Sequence, residues 1–259
     1  MRSFAGVRSA SVLAAAAAAA LGFGGRAAGQ EGYAIPPDTP AHIRRAVEST
    51  ARPAEHRERD ANRKPAEVLT LAGLEEGHHV IELGSFGHYY TTMLVEAVGS
   101  AGHVDMYDPP FTERFGGEAA RAFDAAHDNA TYHLEDYDAV ELPADVDLVL
   151  NVLFYHDLQP NGIDTAGLNA KIFDALKPGG AYLIIDHKAE DGSGWRDAGT
   201  IHRMGVETII EEVTAAGFEL EVDSDLLAHP EDDRTAMVFA PGTRGATDRA
   251  VLLFRKPGG

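Results

Sequence analysis

The 259-residue sequence contains no cysteine. This absence excludes a disulfide framework, a lipid anchor attached to cysteine, a thiolate metal site and a cysteine nucleophile. It is compatible with an oxidising compartment but does not demonstrate one.

Basic residues are also scarce, since 22 Lys and Arg stand against 41 Asp and Glu, a formal net charge of −19. Proteins bind nucleic acids and anionic membranes through clustered Lys and Arg that neutralise phosphates. The charge balance therefore argues against a nucleic-acid partner. The length and the 44% hydrophobic content predict one substantial α/β domain with appendages, while the oligomeric state stays open.

Residues 1–29 have the form of a bacterial secretory signal peptide. Two arginines precede the short apolar run SVLAAAAAAALGFG, and Ala27 and Gly29 offer small residues for cleavage before Gln30. A membrane anchor and an Ala-rich tail of a cytosolic protein are the alternatives, but the run is too short to span a bilayer comfortably. We expect a periplasmic or secreted protein with no stable membrane anchor after cleavage; paired arginines of the twin-arginine kind are absent from this segment.

Residues 30–72 are expected to form an extended leader and N-terminal helices, and residues 73–259 an α/β domain. The segments PAHIRRAVEST and RPAEHRERDANRKPAEVLTLAGL each show helical spacing with proline near the start, which predicts two helices. On the second, Arg57, Asp60 and Lys64 share one face. This spacing is typical of ion pairs on an exposed surface.

Strand-like and helix-like segments then alternate along the chain. The strand patterns HHVIEL, HVDMY, ATYHL, VDLVLNVLF and GAYLIID are mostly separated by helical patterns such as TTMLVEAVG and TAGLNAKIFDAL. This order predicts a doubly wound, mostly parallel sheet with helices on both faces. The later segments FELEVDSDLL and RAVLLFRKP bring the predicted sheet to seven strands.

The first strand runs into a glycine-containing turn, within the stretch VIELGSFGHYYT at residues 80–91. Ligands of such sheets bind at the carboxyl ends of the strands, where the winding reverses. A strand-to-helix turn directs backbone N–H groups toward a ligand, and glycine permits close approach. The turn therefore predicts a cofactor site formed by Gly84, Ser85 and Gly87.

Several segments resemble, in this order, the class I S-adenosylmethionine-dependent methyltransferases: VIELGSFG, VDMYDPP, LEDYD and LKPGGAYLIID. The segments RERDANRKPAEVL, GHYYT, DHKAEDGSGWRDAGTIHRM and HPEDDRT are more narrowly similar to secreted or periplasmic predicted methyltransferases of bacteria. The resemblance covers roughly residues 40–257 and rests on order and spacing together. It implies a Rossmann-like fold with a helical N-terminal extension, S-adenosylmethionine as cofactor, and methyl transfer to an unidentified small molecule.

The resemblance also implies a role for polar residues at the strand ends. Glu82 would orient the amino-acid end of the cofactor, and Asp108 would accept hydrogen bonds from both ribose hydroxyls. Asp136, with Glu135 beside it, would accept from the adenine amino group. Asn151 is also assigned to the cofactor site, and it lies at the end of the fourth strand, where the methyl acceptor is met in this family.

The turn departs from the family pattern at two positions, because Phe86 and His88 stand where the second and third glycines are found. A side chain at a position that needs positive φ costs about 1 kcal/mol or more, and its bulk hinders close approach. Two functions are therefore considered. One is an active exported methyltransferase with a modified turn, and the other is a catalytically silent exported binding protein that keeps the fold.

Candidate catalytic groups follow the fourth and fifth strands. His156 and His187 are the predicted catalytic residues, because imidazole takes protons at neutral pH; a purely structural role is the alternative. No metal site is predicted, and a set of His156, Asp186 and His187 is the less favoured alternative. The following loop ends in His202 and Arg203, which either contact an anionic acceptor or the cofactor carboxylate, or form a structural salt bridge.

Overall fold

A computed structural model describes residues 32–258 of the chain, so the predicted signal peptide lies outside the described residues. The helices are α1 (Ala41–Glu48), α2 (Ala54–Arg57), α3 (Asp60–Arg63), α4 (Pro65–Leu71), α5 (Thr91–Val98), α6 (Glu113–Ala126), α7 (Thr165–Ala175), α8 (Ala198–Ile201) and α9 (Val206–Ala215). The strands are β1 (His79–Leu83), β2 (His103–Asp108), β3 (Ala130–Leu134), β4 (Val146–Val152), β5 (Leu176–His187), β6 (Glu219–Ser224) and β7 (Arg249–Arg255). Within the described range, no helix combines the length and apolarity needed to cross a membrane.

The seven strands form one sheet in the order β3-β2-β1-β4-β5-β7-β6. The pairs from β3 to β5 are parallel, whereas β7 runs antiparallel to both β5 and β6. The winding reverses between β1 and β4, which places the switch point of the sheet at the carboxyl ends of these two strands. The predicted doubly wound, mostly parallel sheet of seven strands is confirmed.

Helices cover both faces of the sheet because the central strands are apolar on both sides. In β1, Val80 packs into a core shared with α1, α4 and α5. Ile81 and Leu83 point to the opposite face and pack into a core shared with α7 and α9. Successive side chains of a strand alternate between faces, so a nearly continuous apolar run fills two cores at once.

The segment that was predicted to form a single second helix is divided into α2, α3 and α4. Pro65 opens α4, and Lys64 before it has a left-handed backbone with φ of 43°. Proline lacks an N–H group and disfavours helical backbone at the preceding residue, so the helix is interrupted there. The predicted surface ion pairs are wrong, because Asp60 is buried and pairs with Arg52, while Nζ of Lys64 donates to the carbonyl of Leu226.

A buried ion pair within the N-terminal segment is hydrogen-bonded to the turn after β1. The guanidinium group of Arg52 donates to both carboxylate oxygens of Asp60, at 2.9 and 2.6 Å. The hydroxyl of Tyr89 donates to the same carboxylate at 2.6 Å. The guanidinium groups of Arg59 and Arg63 lie over the Tyr89 ring, 5.0 and 4.5 Å from its centroid. The N-terminal helices therefore place a basic surface beside the carboxyl ends of β1 and β4.

Candidate functional site

A cavity of about 210 Å³ lies at the switch point of the sheet. Its walls are the turn after β1, the loop after β4 and the arginines of α3 and its flank. A second cavity of about 170 Å³ adjoins it, and both are lined by Arg59, Arg63, Leu153, His187 and Phe239. The structure therefore has a concave site where this fold binds its ligands.

The turn after β1 has left-handed backbone at three residues, Gly84, Gly87 and His88, with φ of 69°, 89° and 48°. Glycine occupies two of these positions, and His88 bears the steric cost that the sequence predicted. The ring of His88 stacks on Phe123 with centroids 5.0 Å apart. Phe86 has negative φ, so the expectation of backbone strain at that position is wrong.

Glu82 lies at the wall of the first cavity, 5% exposed, and its Oε2 accepts a 2.6 Å hydrogen bond from the hydroxyl of Thr91. Burial raises the pKa of the Glu82 carboxyl to about 8, and the nearby Asp108 acts in the same direction. The carboxyl is therefore mostly neutral at pH 7. A ligand that brings an ammonium group would stabilise its ionised form.

The other acidic residues that the resemblance assigned to the cofactor do not line the cavities. Asp108 is 1% exposed, and its Oδ1 accepts hydrogen bonds from Ser85, from the backbone N–H at 2.7 Å and the hydroxyl at 3.1 Å. Burial raises the pKa of Asp108 to about 6. Glu135 and Asp136 are exposed to solvent, whereas Asn151 is buried and its Oδ1 has no partner.

Aromatic rings fill the space between the turn and the ends of β2 and β3. Phe154 is fully buried, and a Cβ atom added to Gly84 would lie only 2.6 Å from its Cγ. Phe86, Phe111 and Tyr137 surround the Phe154 ring at centroid distances of 5.5 to 6.2 Å. The Tyr137 hydroxyl donates to a backbone carbonyl near the end of β2 at 2.6 Å.

The fit of S-adenosylmethionine differs between its two ends. Glu82 and the glycine turn line an open cavity, so these residues fit the amino-acid end. The rings around Phe154 include Phe86, which follows the Ser85 that contacts Asp108, and Tyr137, which follows Asp136, so they lie next to the residues that the resemblance assigns to ribose and adenine. The adenosine end therefore fits only after these aromatic side chains have moved.

The two histidines that were predicted to be catalytic both lie at the wall of the first cavity. Nδ1 of His156 lies 2.6 Å from Oδ1 of Asp186. Burial alone would lower the pKa of His156, but the charge of Asp186 and this hydrogen bond raise it above its usual value. His187 differs, because burial, His156 and the surrounding arginines hold its pKa well below the usual value. Its Nδ1 lies 2.8 Å from the hydroxyl of Thr247.

Four arginines converge on the second cavity, and sequence reasoning missed them as a group: Arg59, Arg63, Arg244 and Arg249. Among the described residues, none of the four lies within salt-bridge distance of a carboxylate. Arg249 is 4% exposed, its Nη2 donates to the carbonyl of Asn62 at 2.5 Å, and its Nε has no partner. Unpaired guanidinium groups in a concave site favour an anionic ligand.

His202 and Arg203 are neighbours in the loop after β5, but their side chains contact different groups. Nδ1 of His202 lies 3.2 Å from Nε2 of His156 and 3.2 Å from Oδ1 of Asp157. Arg203 is buried, and its Nη1 donates to Asp232 at 2.7 Å. Arg203 therefore forms the structural salt bridge that was one of its two expected roles.

No protein-family model matches the sequence, and a comparison with curated proteins found no match. Similar solved structures include a SAM-dependent methyltransferase from Aquifex aeolicus, which is 17% identical in sequence. The match covers 73% of this chain and 88% of that chain, with a TM-score of 0.54. A second, from Mesorhizobium loti, has 19% identity, coverage of 74% and 97%, and a TM-score of 0.54. The cyclase SpnF has 16% identity, coverage of 82% and 86%, and a TM-score of 0.55.

At these identities the likeness shows the fold alone. The chain has the Rossmann-like fold of the class I methyltransferases, with seven strands and flanking helices. One of the three similar structures is named a cyclase. The reaction must therefore be argued from the residues of this site.

Proposed function

We propose that the protein is an S-adenosylmethionine-dependent methyltransferase that acts on a small anionic molecule. The observation that carries the proposal is one concave site with Glu82 and the glycine turn on one side and unpaired arginines on the other. S-adenosylmethionine supplies an electrophilic methyl group when it is bound. Of the chain's own residues, Glu82 would bind the ammonium group, and the arginines would orient the acceptor toward His156 and His187. Such alignment is the main source of acceleration in a displacement of this kind.

A second candidate function is an exported binding protein without catalysis. The packing of Phe154 against Gly84 supports it, because aromatic rings fill the space beside the glycine turn. The form of residues 1–29 supports export for either function, to the periplasm or beyond the cell.

The first test is calorimetric titration of the full chain with S-adenosylmethionine and its demethylated product at pH 7. We expect binding to release close to one proton, because the pKa of about 8 leaves Glu82 protonated until an ammonium group approaches. Repeating the titration in buffers of different ionisation enthalpy measures this proton. Glu82→Gln should weaken binding at least tenfold and abolish the release, whereas the exposed Glu118→Gln should do neither. Binding to Glu82→Gln with wild-type affinity would exclude Glu82 as the ammonium contact.

The acceptor class is tested with a panel of small carboxylates and phosphates, each paired with a neutral analogue of similar size. We expect transfer of labelled methyl groups only to the anions, because a charge-assisted hydrogen bond contributes about 1.5 to 3 kcal/mol. Arg63→Met should raise KM about tenfold with a smaller effect on kcat. Arg45→Met removes an exposed charge that lines neither cavity and should leave KM unchanged. Equal methylation of the neutral analogues would contradict an anionic acceptor.

A further inference from the structure

Three side chains from two separate segments converge on one point beside the first cavity. His156 and Asp157 belong to the short 3-10 turn after β4, whereas His202 follows α8. Nδ1 of His202 lies 3.2 Å from both Nε2 of His156 and Oδ1 of Asp157, and these last two atoms are 3.6 Å apart. In the part of the chain that the structure describes, no other three histidine or carboxylate groups bring their ligand atoms within 4.8 Å of one another.

These separations are those of ligands around a single metal ion. Nitrogen and oxygen ligands bind zinc at about 2.0 to 2.2 Å, which sets two ligands of a tetrahedral site about 3.3 to 3.6 Å apart. Nδ1 of His156 is engaged by Asp186, so Nε2 is the ring nitrogen that is directed toward Asp157 and His202 and available to a metal ion. Nε2 of His156, Oδ1 of Asp157 and Nδ1 of His202 therefore face one another around a single point, where a metal ion would contact all three atoms.

The ring of His156 is held in the orientation that a metal ligand requires. Oδ1 of Asp186 lies 2.6 Å from Nδ1 of His156 and accepts the backbone N–H of His187 at 2.7 Å. Oδ2 of the same carboxylate accepts the backbone N–H of His156 at 2.8 Å. A carboxylate behind a ligating histidine fixes its tautomer and raises its basicity.

The point of convergence has an open side. His156 and Asp157 line the first cavity, and Asp157 and His202 line a further opening of about 490 Å³. Three protein ligands with an accessible fourth position are typical of catalytic metal sites. Two imidazoles with one carboxylate suit zinc, iron, cobalt or nickel, whereas magnesium and calcium prefer all-oxygen sites.

We propose that His156, Asp157 and His202 bind a divalent transition-metal ion through Nε2, Oδ1 and Nδ1, with Asp186 as the positioning residue of His156. This set differs from the alternative considered from the sequence, because Asp186 contacts Nδ1 of His156 and His187 is engaged with Thr247.

The metal's role rests on the proposed function, whereas its binding does not. A metal at this point would bind and polarise an oxygen atom of the anionic acceptor. Nε2 of a metal-bound His156 cannot also take a proton. His187, whose Nδ1 contacts Thr247, then remains as the other histidine at the cavity wall.

The test is calorimetric titration of the chelator-treated full chain with zinc chloride, without S-adenosylmethionine. We expect one zinc ion per chain with a Kd in the micromolar range or tighter. Cobalt(II) should give the intense visible bands of a four- or five-coordinate site, and millimolar magnesium should not displace either ion. Asp157→Asn and His202→Ala should each weaken zinc binding at least tenfold. Both side chains are partly exposed, so both variants should fold, which circular dichroism checks.

The matched control is His133→Ala, because His133 contacts Asp105 at 2.7 Å in a separate cluster with His79 and His103. Zinc binding should be unchanged in this variant. The proposal is overturned if the wild-type chain binds no stoichiometric zinc or cobalt, or if His133→Ala loses the metal and His202→Ala retains it. Because no S-adenosylmethionine is present, failure here leaves the methyltransferase proposal standing, and failure of that proposal leaves metal binding intact.

Discussion

Replacing Phe154 with alanine is expected to tighten the binding of S-adenosylmethionine at least tenfold while it lowers the free energy of unfolding by about 3 to 5 kcal/mol. The stability loss follows because Phe154 is fully buried among Phe86, Phe111 and Tyr137. The affinity gain follows because the ring stands over Gly84, where the ligand must enter. The ligand binds the open form, in which the Phe154 ring has moved away from Gly84. When this form is a minor population, the apparent affinity for the ligand is reduced in proportion to its fraction, and removing the ring abolishes this reduction.

The matched control is Phe218→Ala. Phe218 is buried in the same core but packs against Phe173 and Tyr182, away from the turn. It should lose similar stability in urea unfolding without any gain in affinity. If Phe154→Ala is destabilised and still binds no S-adenosylmethionine at millimolar concentration, the rings occupy no ligand site, and the silent binding protein becomes the better description.

Replacing Asp60 with alanine is expected to lower the free energy of unfolding by about 3 to 5 kcal/mol. The substitution leaves the buried guanidinium group of Arg52 without its carboxylate and the hydroxyl of Tyr89 without its acceptor. An uncompensated buried charge is far more costly than the loss of one hydrogen bond. Urea unfolding measured by tryptophan fluorescence and circular dichroism gives the free energy.

Two variants separate this charge effect from other causes. Tyr89→Phe removes only the hydroxyl and should lower the free energy of unfolding by about 1 kcal/mol. Glu58→Ala removes an exposed carboxylate from the same segment and should have almost no effect. If Asp60→Ala lowers the free energy of unfolding by less than about 1 kcal/mol, the ion pair is not what stabilises the N-terminal helices.

The limits of the sequence-based interpretation are clearest at the turn after β1. Gly84 and Gly87 were recognised, and both have the left-handed backbone that favours glycine. Strain was expected at both Phe86 and His88, but only His88 has positive φ. The backbone angle of a given residue in a turn depends on the path of the whole turn, which glycine spacing alone does not specify. The sequence also did not predict that Phe86 packs against Phe154, which lies 68 positions later in the chain.

The helical extension shows the same limit. Periodicity predicted one long helix and an exposed face of ion pairs, but Pro65 divides the segment and Asp60 turns inward to Arg52. The sequence pattern around a carboxylate on a helix is the same whether the carboxylate contacts water or a buried guanidinium group. Only the packing of α3 against the turn after β1 distinguishes the two.

The sequence by itself determined the fold class and the place of the candidate site. Hydrophobic periodicity is local, so alternating strand and helix patterns predicted the parallel sheet, and the sheet order then placed the site at the ends of β1 and β4. The tertiary structure alone decided which side chains meet there. It placed His202 beside His156, brought together four arginines from both ends of the chain, and packed aromatic rings beside the turn after β1. These contacts join residues far apart in sequence, and they depend on side-chain directions and loop paths that no local pattern encodes.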